Sequence, residues 1–419
     1  MRPPAPPLQH NDLTRALPRS ATWTYGLAFL GAHLGFMPLL VLLLPRRIEA
    51  FAPDDAAVLL SWLLLIGGVV AGLAHILAGG IGDRWIARFG NRRGLIAIGT
   101  GLIVLSYIGL ARAESFPALL AAIIFFQISL NCCFAPLGAL LADHFPHEMK
   151  GRLGGLANAA MPASVLVVAV IAVIFPVDTP WAFVAVGALS AACVVPLLVL
   201  WPFSAIIAEP DAPQDAAVEP VRRFPADFAI AWTARLLIQI GAVFVTSYIY
   251  LFIAATQASS PAWETINASE ILAILTVPAA LLAILATLIG GHVSDWRALR
   301  RVPAFLSAMI CAVGLGGLAM VPEPWLFIAA YCLFQIGLAA FLSIDTALVA
   351  QLVSGHPRRG TMLGVMNLAN TMPAIIAPTL ILLAFREDAI AGALSTLFGV
   401  LTICTLTAGA MMLFIRNVR

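Results

Sequence analysis

A chain of 419 residues that is 61% hydrophobic and only 11% charged is not a soluble domain, since those carry about 25% charged residues. Its long apolar runs, separated by short polar segments, mean membrane-spanning helices rather than the alternating strands of a barrel. The net charge of +2 carries no signal for nucleic acid, and the six cysteines all fall in apolar runs without metal-ligand spacing, as small core residues do.

Residues 1–22 are Pro-rich, with scattered arginines and no apolar core, and read as a cytoplasmic tail rather than a cleavable signal peptide. Twelve apolar spans of about 20 residues follow. They cover 23–44, 57–80, 94–111, 117–142, 152–175, 180–201, 228–254, 270–292, 303–321, 325–352, 360–384 and 389–415. After the sixth span, residues 203–227 carry Pro210, Pro213, Pro220 and Pro225 among the acids Glu209, Asp211, Asp215 and Glu219. That is the composition of a linker. It divides the chain into bundles at 23–202 and 228–419, so the expected fold class is an all-α membrane protein of twelve helices in two pseudo-symmetric bundles. With the N-terminus inside, the outside loops hold only Arg46, Arg47, Arg112 and Arg386, and every other loop Lys or Arg falls inside. Basic residues concentrate on the cytoplasmic side, which places both termini there.

The segment Gly79–Arg93, GGIGDRWIARFGNRR, is the most basic connection in the chain, and it echoes in Gly291-His292-Val293-Ser294-Asp295-Trp296-Arg297. Other matches recur in the same order. Phe125–Leu130 (FFQISL) matches Leu333–Leu338 (LFQIGL), and Ala139-Leu140-Leu141-Ala142 matches Ala347-Leu348-Val349-Ala350. Gly151 and Gly155 match Gly360 and Gly364, and Met161-Pro162-Ala163 matches Met372-Pro373-Ala374. Such a series marks an internal duplication, and parallel six-helix repeats are a transporter architecture.

On these residues the sequence resembles the major facilitator superfamily, over about the whole chain. That family's signature reads here Gly79-x3-Asp83-Arg84, then Phe89-Gly90-Asn91-Arg92-Arg93, with Trp85-Ile86-Ala87-Arg88 inserted between. The extended form resembles the glycoside–pentoside–hexuronide and sucrose-type symporters. So do Ala139–Gly154 (ALLADHFPHEMKGRLG), Asp345–Val349 and Gly364–Pro373. The resemblance implies twelve helices around a central cavity bordered by helices 1, 7 and 10. It also implies that the Gly79, Asp83, Arg84, Arg92, Arg93 segment and its echo at Asp295 form a conformational latch. In that latch Asp83 faces the amides near Gly360–Met362, a carboxylate at a positive helix end, and the arginines pair with acids such as Asp143.

Two charged residues lie well inside spans, Arg235 in the seventh and Asp345 in the tenth. Counted from the cytoplasmic ends, both sit roughly 10–12 Å deep. A buried charge there costs several kcal/mol unless paired or hydrated, so the two are expected to face each other. Asp345 is then either a proton carrier released and recaptured by Arg235, or half of a permanent ion pair that fixes packing. His33, midway along span 1, is a candidate proton relay or a histidine bonded to a backbone carbonyl, while His75 and His292 read as interfacial. Gln127, Asn131, Gln239 and Gln335 can bind a hydroxyl-rich substrate or join helices. Tyr248 and Tyr250 can stack on a sugar ring or close an outer gate.

The reading is a secondary transporter: proton-coupled symport of a sugar or glycoside-like solute by alternating access, or export of a hydrophobic compound in exchange for protons. No nucleophile elbow, metal-ligand cluster or nucleotide-binding loop argues for an enzyme, and the proton gradient stands in for any cofactor. The expected partners are a small-molecule substrate and the lipid bilayer, for a monomer. The Ala-, Leu- and Gly-rich composition fits a bacterial inner membrane.

Overall fold

The computed structural model describes residues 19–144, 147–175, 179–201, 226–259, 267–297, 300–320, 323–352, 359–384 and 390–416. Every regular element among them is helical, because inside a bilayer each backbone N–H and C=O must be bonded within its own segment. The first half comprises α1 (Arg19–Leu34), a π-helical segment (Leu39–Leu43), α2 (Leu44–Phe51), α3 (Ala56–Phe89), α4 (Arg93–Arg112), α5 (Phe116–His144), α6 (His147–Ile174) and α7 (Pro180–Leu200). The second comprises α8 (Ala226–Ser259), α9 (Ala268–Arg297), α10 (Arg301–Met320), α11 (Pro324–Leu352), α12 (Arg359–Thr371), α13 (Pro373–Ala384) and α14 (Ile390–Met412).

Among the described residues ten helices are long and apolar enough to cross a membrane, or eleven when α12 and α13 count as one span bent by 40°. The bend falls at Pro373, which lacks the N–H that a continuous helix would need. The remaining expected span coincides with α6, where Ala160–Ile174 is apolar. Trp23, Trp62, Trp181 and Trp325 are exposed. Trp201 is instead buried, its ring 6.1 Å from that of Tyr25.

Two helices run further than hydropathy indicates. The first span continues from Ser20 to Phe51. Arg46, expected in an outside loop, therefore lies on α2 with 5% of its surface exposed, and its Nη2 donates to the Phe175 carbonyl at 3.4 Å. The second span continues through the basic segment to Phe89, so the expected loop shrinks to Gly90–Arg92. Nothing in GGIGDRWIARF breaks a helix in mid-course. The stop is Gly90, whose φ of 72° L side chains avoid, with its N–H donating to the Ile86 carbonyl at 2.8 Å. The inserted Trp85–Arg88 is thus one more helical turn. Trp85 packs against Gly94, where an added Cβ would lie 2.7 Å from its ring, and stacks near Phe89 with ring centroids 4.5 Å apart.

The chain forms two compact units. One comprises residues 1–37, 70–164 and 180–219, and the other 38–69, 165–179 and 220–419. In the first, α1 meets α7 where the Ser190 hydroxyl donates to the Gly31 carbonyl at 2.7 Å, and the Tyr107 hydroxyl donates to that of Gly35 at 2.8 Å. Helices α4 and α5 touch backbone to backbone at Gly99 and Cys133. In the second unit, α10 and α11 cross equally closely. A Cβ at Gly337 would collide with the Cys311 backbone, and one at Gly314 with that of Phe334. The core of this unit gathers Phe228, Ile238, Phe341, Ile344, Leu348, Met362, Met366 and Met412.

Candidate functional site

The second unit holds the ion pair anticipated from the two intramembrane charges. Arg235 on α8 directs Nε to Asp345 Oδ2 on α11 at 2.5 Å, and Nη2 ion-pairs with the same oxygen. Asp345 is 0% exposed and Arg235 8%. The surrounding residues, from Ala234 and Ile238 to Ile344 and Leu348, are apolar. Asp345 Oδ1 is buried with no hydrogen-bond partner among the described residues. The carboxylate is therefore satisfied on one oxygen and bare on the other, a costly arrangement in a dry interior.

An amide chain begins one turn along α8. Gln239 lies four residues after Arg235, so the two share a face of the helix. Its Nε2 donates to Asn370 Oδ1 at 3.2 Å, and Asn370 Nδ2 donates to Asn367 Oδ1 at 3.3 Å. The indole of Trp232, on the preceding turn, donates to the Val365 carbonyl at 2.8 Å. One face of α8 thus reaches both the buried carboxylate and exposed amides on α12. Asn367 and Asn370 were not singled out by sequence reasoning, because amides on an apolar helix give no sign of which neighbour they meet. Gln335 bonds within α11, its Nε2 donating to the Tyr331 hydroxyl at 2.9 Å.

Tyr248 is fully buried, and its hydroxyl lies 2.7 Å from Ser61 Oγ on α3. Ser61 spends its own proton on the Ala57 carbonyl at 2.6 Å, so the tyrosine is the donor. Nearby, Arg46, Glu49, Tyr250, Gln257, Asn267 and Ser269 help to line a cavity of about 280 Å³. Tyr250 shares that lining with Glu49 and Ser269.

The first unit contains the other polar cluster. His33 Nδ1 donates to the Phe29 carbonyl at 2.9 Å, and its ring meets that of Phe134 edge-on at 5.6 Å. Asn131 Nδ2 donates to the Gln127 carbonyl at 2.9 Å, while its Oδ1 lies 3.0 Å from His75 Nδ1. His75, read as interfacial from the sequence, thus has a side-chain partner on α5. Because α3 runs on to Phe89, the imidazole lies well inside the helix. Hydropathy locates the first charged residue, not the helix end.

The latch residues are only partly described. The side chains of Asp83, Asp143, Asp295 and Gly360–Thr361 lie outside the described residues. Arg92 is buried against Gly82, where an added Cβ would lie 3.0 Å from its Nη1, and Arg84 and Arg93 are exposed. Gly79 lies within α3, and Arg88 sits 5.6 Å above the Phe89 ring. Among the described residues no group of three His, Cys, Asp or Glu is placed to hold a metal.

The family model described as Major Facilitator Superfamily matches residues 13–378. No curated protein matches the chain by sequence. Among solved structures, a bacterial homolog to the human lysosomal transporter Spinster, inward-facing and unoccupied, aligns with TM-score 0.69 and 15% identity over 94% of this chain and 95% of that one. A D-xylose–proton symporter aligns with TM-score 0.71 and 14% identity over 95% of this chain and 98% of its own. Nucleoside transporter NupG gives 0.67 and 13% over 95% and 100%. At such identities the likeness is one of fold.

Proposed function

Since the chain belongs to the Major Facilitator Superfamily, whose members are secondary transporters and not enzymes, we propose that it moves a small polar organic solute, a sugar or glycoside, in symport with protons. The observation that carries the reading is the Arg235–Asp345 pair with its bare Oδ1. A proton added to Oδ1 neutralises the carboxylate and removes most of its hold on the guanidinium. Arg235 is then a lone charge in an apolar core, and α8 must shift to rehydrate it or find it another acceptor. Because Gln239 rides on the same face of α8, that shift is felt at the Gln239–Asn370–Asn367 chain. Protonation and solute binding are coupled when both bias the same movable element.

The sugar assignment draws on the resemblance of the extended Asp83–Arg93 segment to the sucrose-type and glycoside–pentoside–hexuronide symporters, and on amides suited to hydroxyl groups. Alternating access requires contacts that break. The buried Tyr248–Ser61 bond is one candidate, and the Asp83–Arg93 segment with its echo at Asp295 is the cytoplasmic latch in this proposal. The protein works as a monomer in a bacterial inner membrane with both termini in the cytoplasm.

The test is the external pH around right-side-out proteoliposomes, without an imposed gradient, as sugars, glycosides, organic acids and hydrophobic drugs are added in turn. Alkalinisation with a sugar supports symport. Acidification with a hydrophobic compound shifts the assignment to export in exchange for protons. Uptake of labelled solute with no pH change removes Asp345 as a proton carrier and leaves it a packing residue or a sodium ligand.

A further inference from the structure

We propose that His75 and Asn131 form a substrate-recognising dyad in the first unit, and that it selects a neutral, hydroxyl-rich solute over a carboxylate or phosphate. This rests on the transport reading above and adds to it a residue and a chemical selectivity. The hydrogen-bond partners decide which atoms hold protons. Asn131 Nδ2 donates to a backbone carbonyl, that of Gln127, which fixes the amide orientation and turns Oδ1 toward His75. An amide oxygen only accepts, so His75 carries its proton on Nδ1. Its Nε2 is then an acceptor, and no described residue bonds to it. His75 is exposed at this position, some 20 Å along α3 from its end at Phe89.

The same logic applies to His33. The Phe29 carbonyl can only accept, so the proton sits on Nδ1 and Nε2 is again an open acceptor. The two imidazoles flank one stripe of α5. Gln127, Asn131 and Phe134 are spaced four and three residues apart and share a helix face. His75 meets that stripe at Asn131, and His33 meets it at Phe134. The half-buried Gln127 side chain has no hydrogen-bond partner among the described residues.

The stripe therefore presents two acceptor nitrogens, one amide that both donates and accepts, and one aromatic ring. A hydroxyl donates to each acceptor, and the C–H face of a sugar ring packs on Phe134. With both imidazoles neutral, a carboxylate or phosphate brings lone pairs to nitrogens that also carry lone pairs, and only the Gln127 amide can donate to it. Leaving a site's polar groups unpaired is what gives such a site its discrimination.

The experiment uses the full-length protein in proteoliposomes. It measures uptake of labelled D-xylose, D-glucose and sucrose beside D-glucuronate and glucose 1-phosphate, for wild type, His75→Phe and His75→Gln. The expected result is uptake of a neutral sugar by wild type and a rise of about tenfold in KM in His75→Phe with Vmax retained. His75→Gln, which keeps a hydrogen-bonding group, recovers at least part of the loss. If the phenylalanine variant does not fold, Asn131→Leu, which removes the other partner of the dyad, is expected to raise KM in the same way, and an unchanged KM in it overturns the dyad. Unchanged KM for the neutral sugar in both variants overturns the dyad and leaves the transport reading standing. Uptake of only the charged sugars overturns the selectivity while transport itself stands. Uptake of no sugar, neutral or charged, removes the sugar assignment, and this inference falls with it.

Discussion

Removing one member of the Arg235–Asp345 pair tests both its energetics and its role. An exposed ion pair contributes only about 0–1 kcal/mol, but this one is 0% and 8% exposed, so water does not screen it. Arg235→Met leaves a bare carboxylate in the apolar core, and Asp345→Leu leaves a bare guanidinium. Each is expected to cost about 3–5 kcal/mol, roughly a 10²- to 10⁴-fold shift toward the unfolded state. The double variant Arg235→Met/Asp345→Leu removes both charges and is expected to return close to wild-type stability, since apolar residues of similar volume replace a buried pair at little net cost. The non-additivity, several kcal/mol, is the measured quantity. The assay is thermal unfolding of detergent-purified protein, followed by the monodisperse fraction on size exclusion, for wild type, both singles and the double. Asp345→Asn completes the set. Its amide oxygen still accepts from Arg235 Nε, so it is expected to fold, to lose proton-driven accumulation and to keep counterflow exchange. Single variants as stable as wild type would refute the account of the buried pair. Normal accumulation by Asp345→Asn would refute proton carriage by this residue.

Four further outcomes follow from particular side-chain environments. Ser61→Ala strands the buried Tyr248 hydroxyl as an unpaired donor and is expected to cost about 1–3 kcal/mol, whereas Tyr248→Phe leaves Ser61 bonded to Ala57 and costs about 1 kcal/mol. Thermal melting of the two variants gives that order or contradicts the assigned donor. Gly337→Val drives a side chain into the Cys311 backbone and is expected to abolish a monodisperse product. Gly72→Ala meets nothing within 4 Å and is expected to stabilise by about 0.5–1 kcal/mol. Gly94→Val displaces the Trp85 ring packed over it, and the loss in melting temperature is expected to be partly recovered by adding Trp85→Ala. No recovery would mean that the strain lies elsewhere.

Much of this architecture was legible from the residues alone. Apolar runs of about 20 residues cannot be anything but spans in lipid, and the family's signature lies at Gly79–Arg93 in plain view. The Arg235–Asp345 contact was also foreseeable. Only two charges stand well inside apolar spans, both at one depth, and an unpaired charge there is too costly to leave alone. What sequence left open was where helices end and which way their polar side chains turn. Hydropathy changes at the first charge, yet α3 carries its charges for a further stretch to Gly90, and that leaves His75 well before the helix end. Arg46 likewise became a buried helical residue because the chain continued through a π-helical segment into α2. Whether Asn131 meets His75, or Gln239 meets Asn370, depends on the rotation of each helix about its own axis. That rotation is set by contacts such as Gly99 on Cys133 and Gly337 on Cys311, between residues distant in sequence. Depth in the membrane is a property of one helix and is written in its own residues. Orientation is a property of packed pairs, and only the tertiary structure decides it.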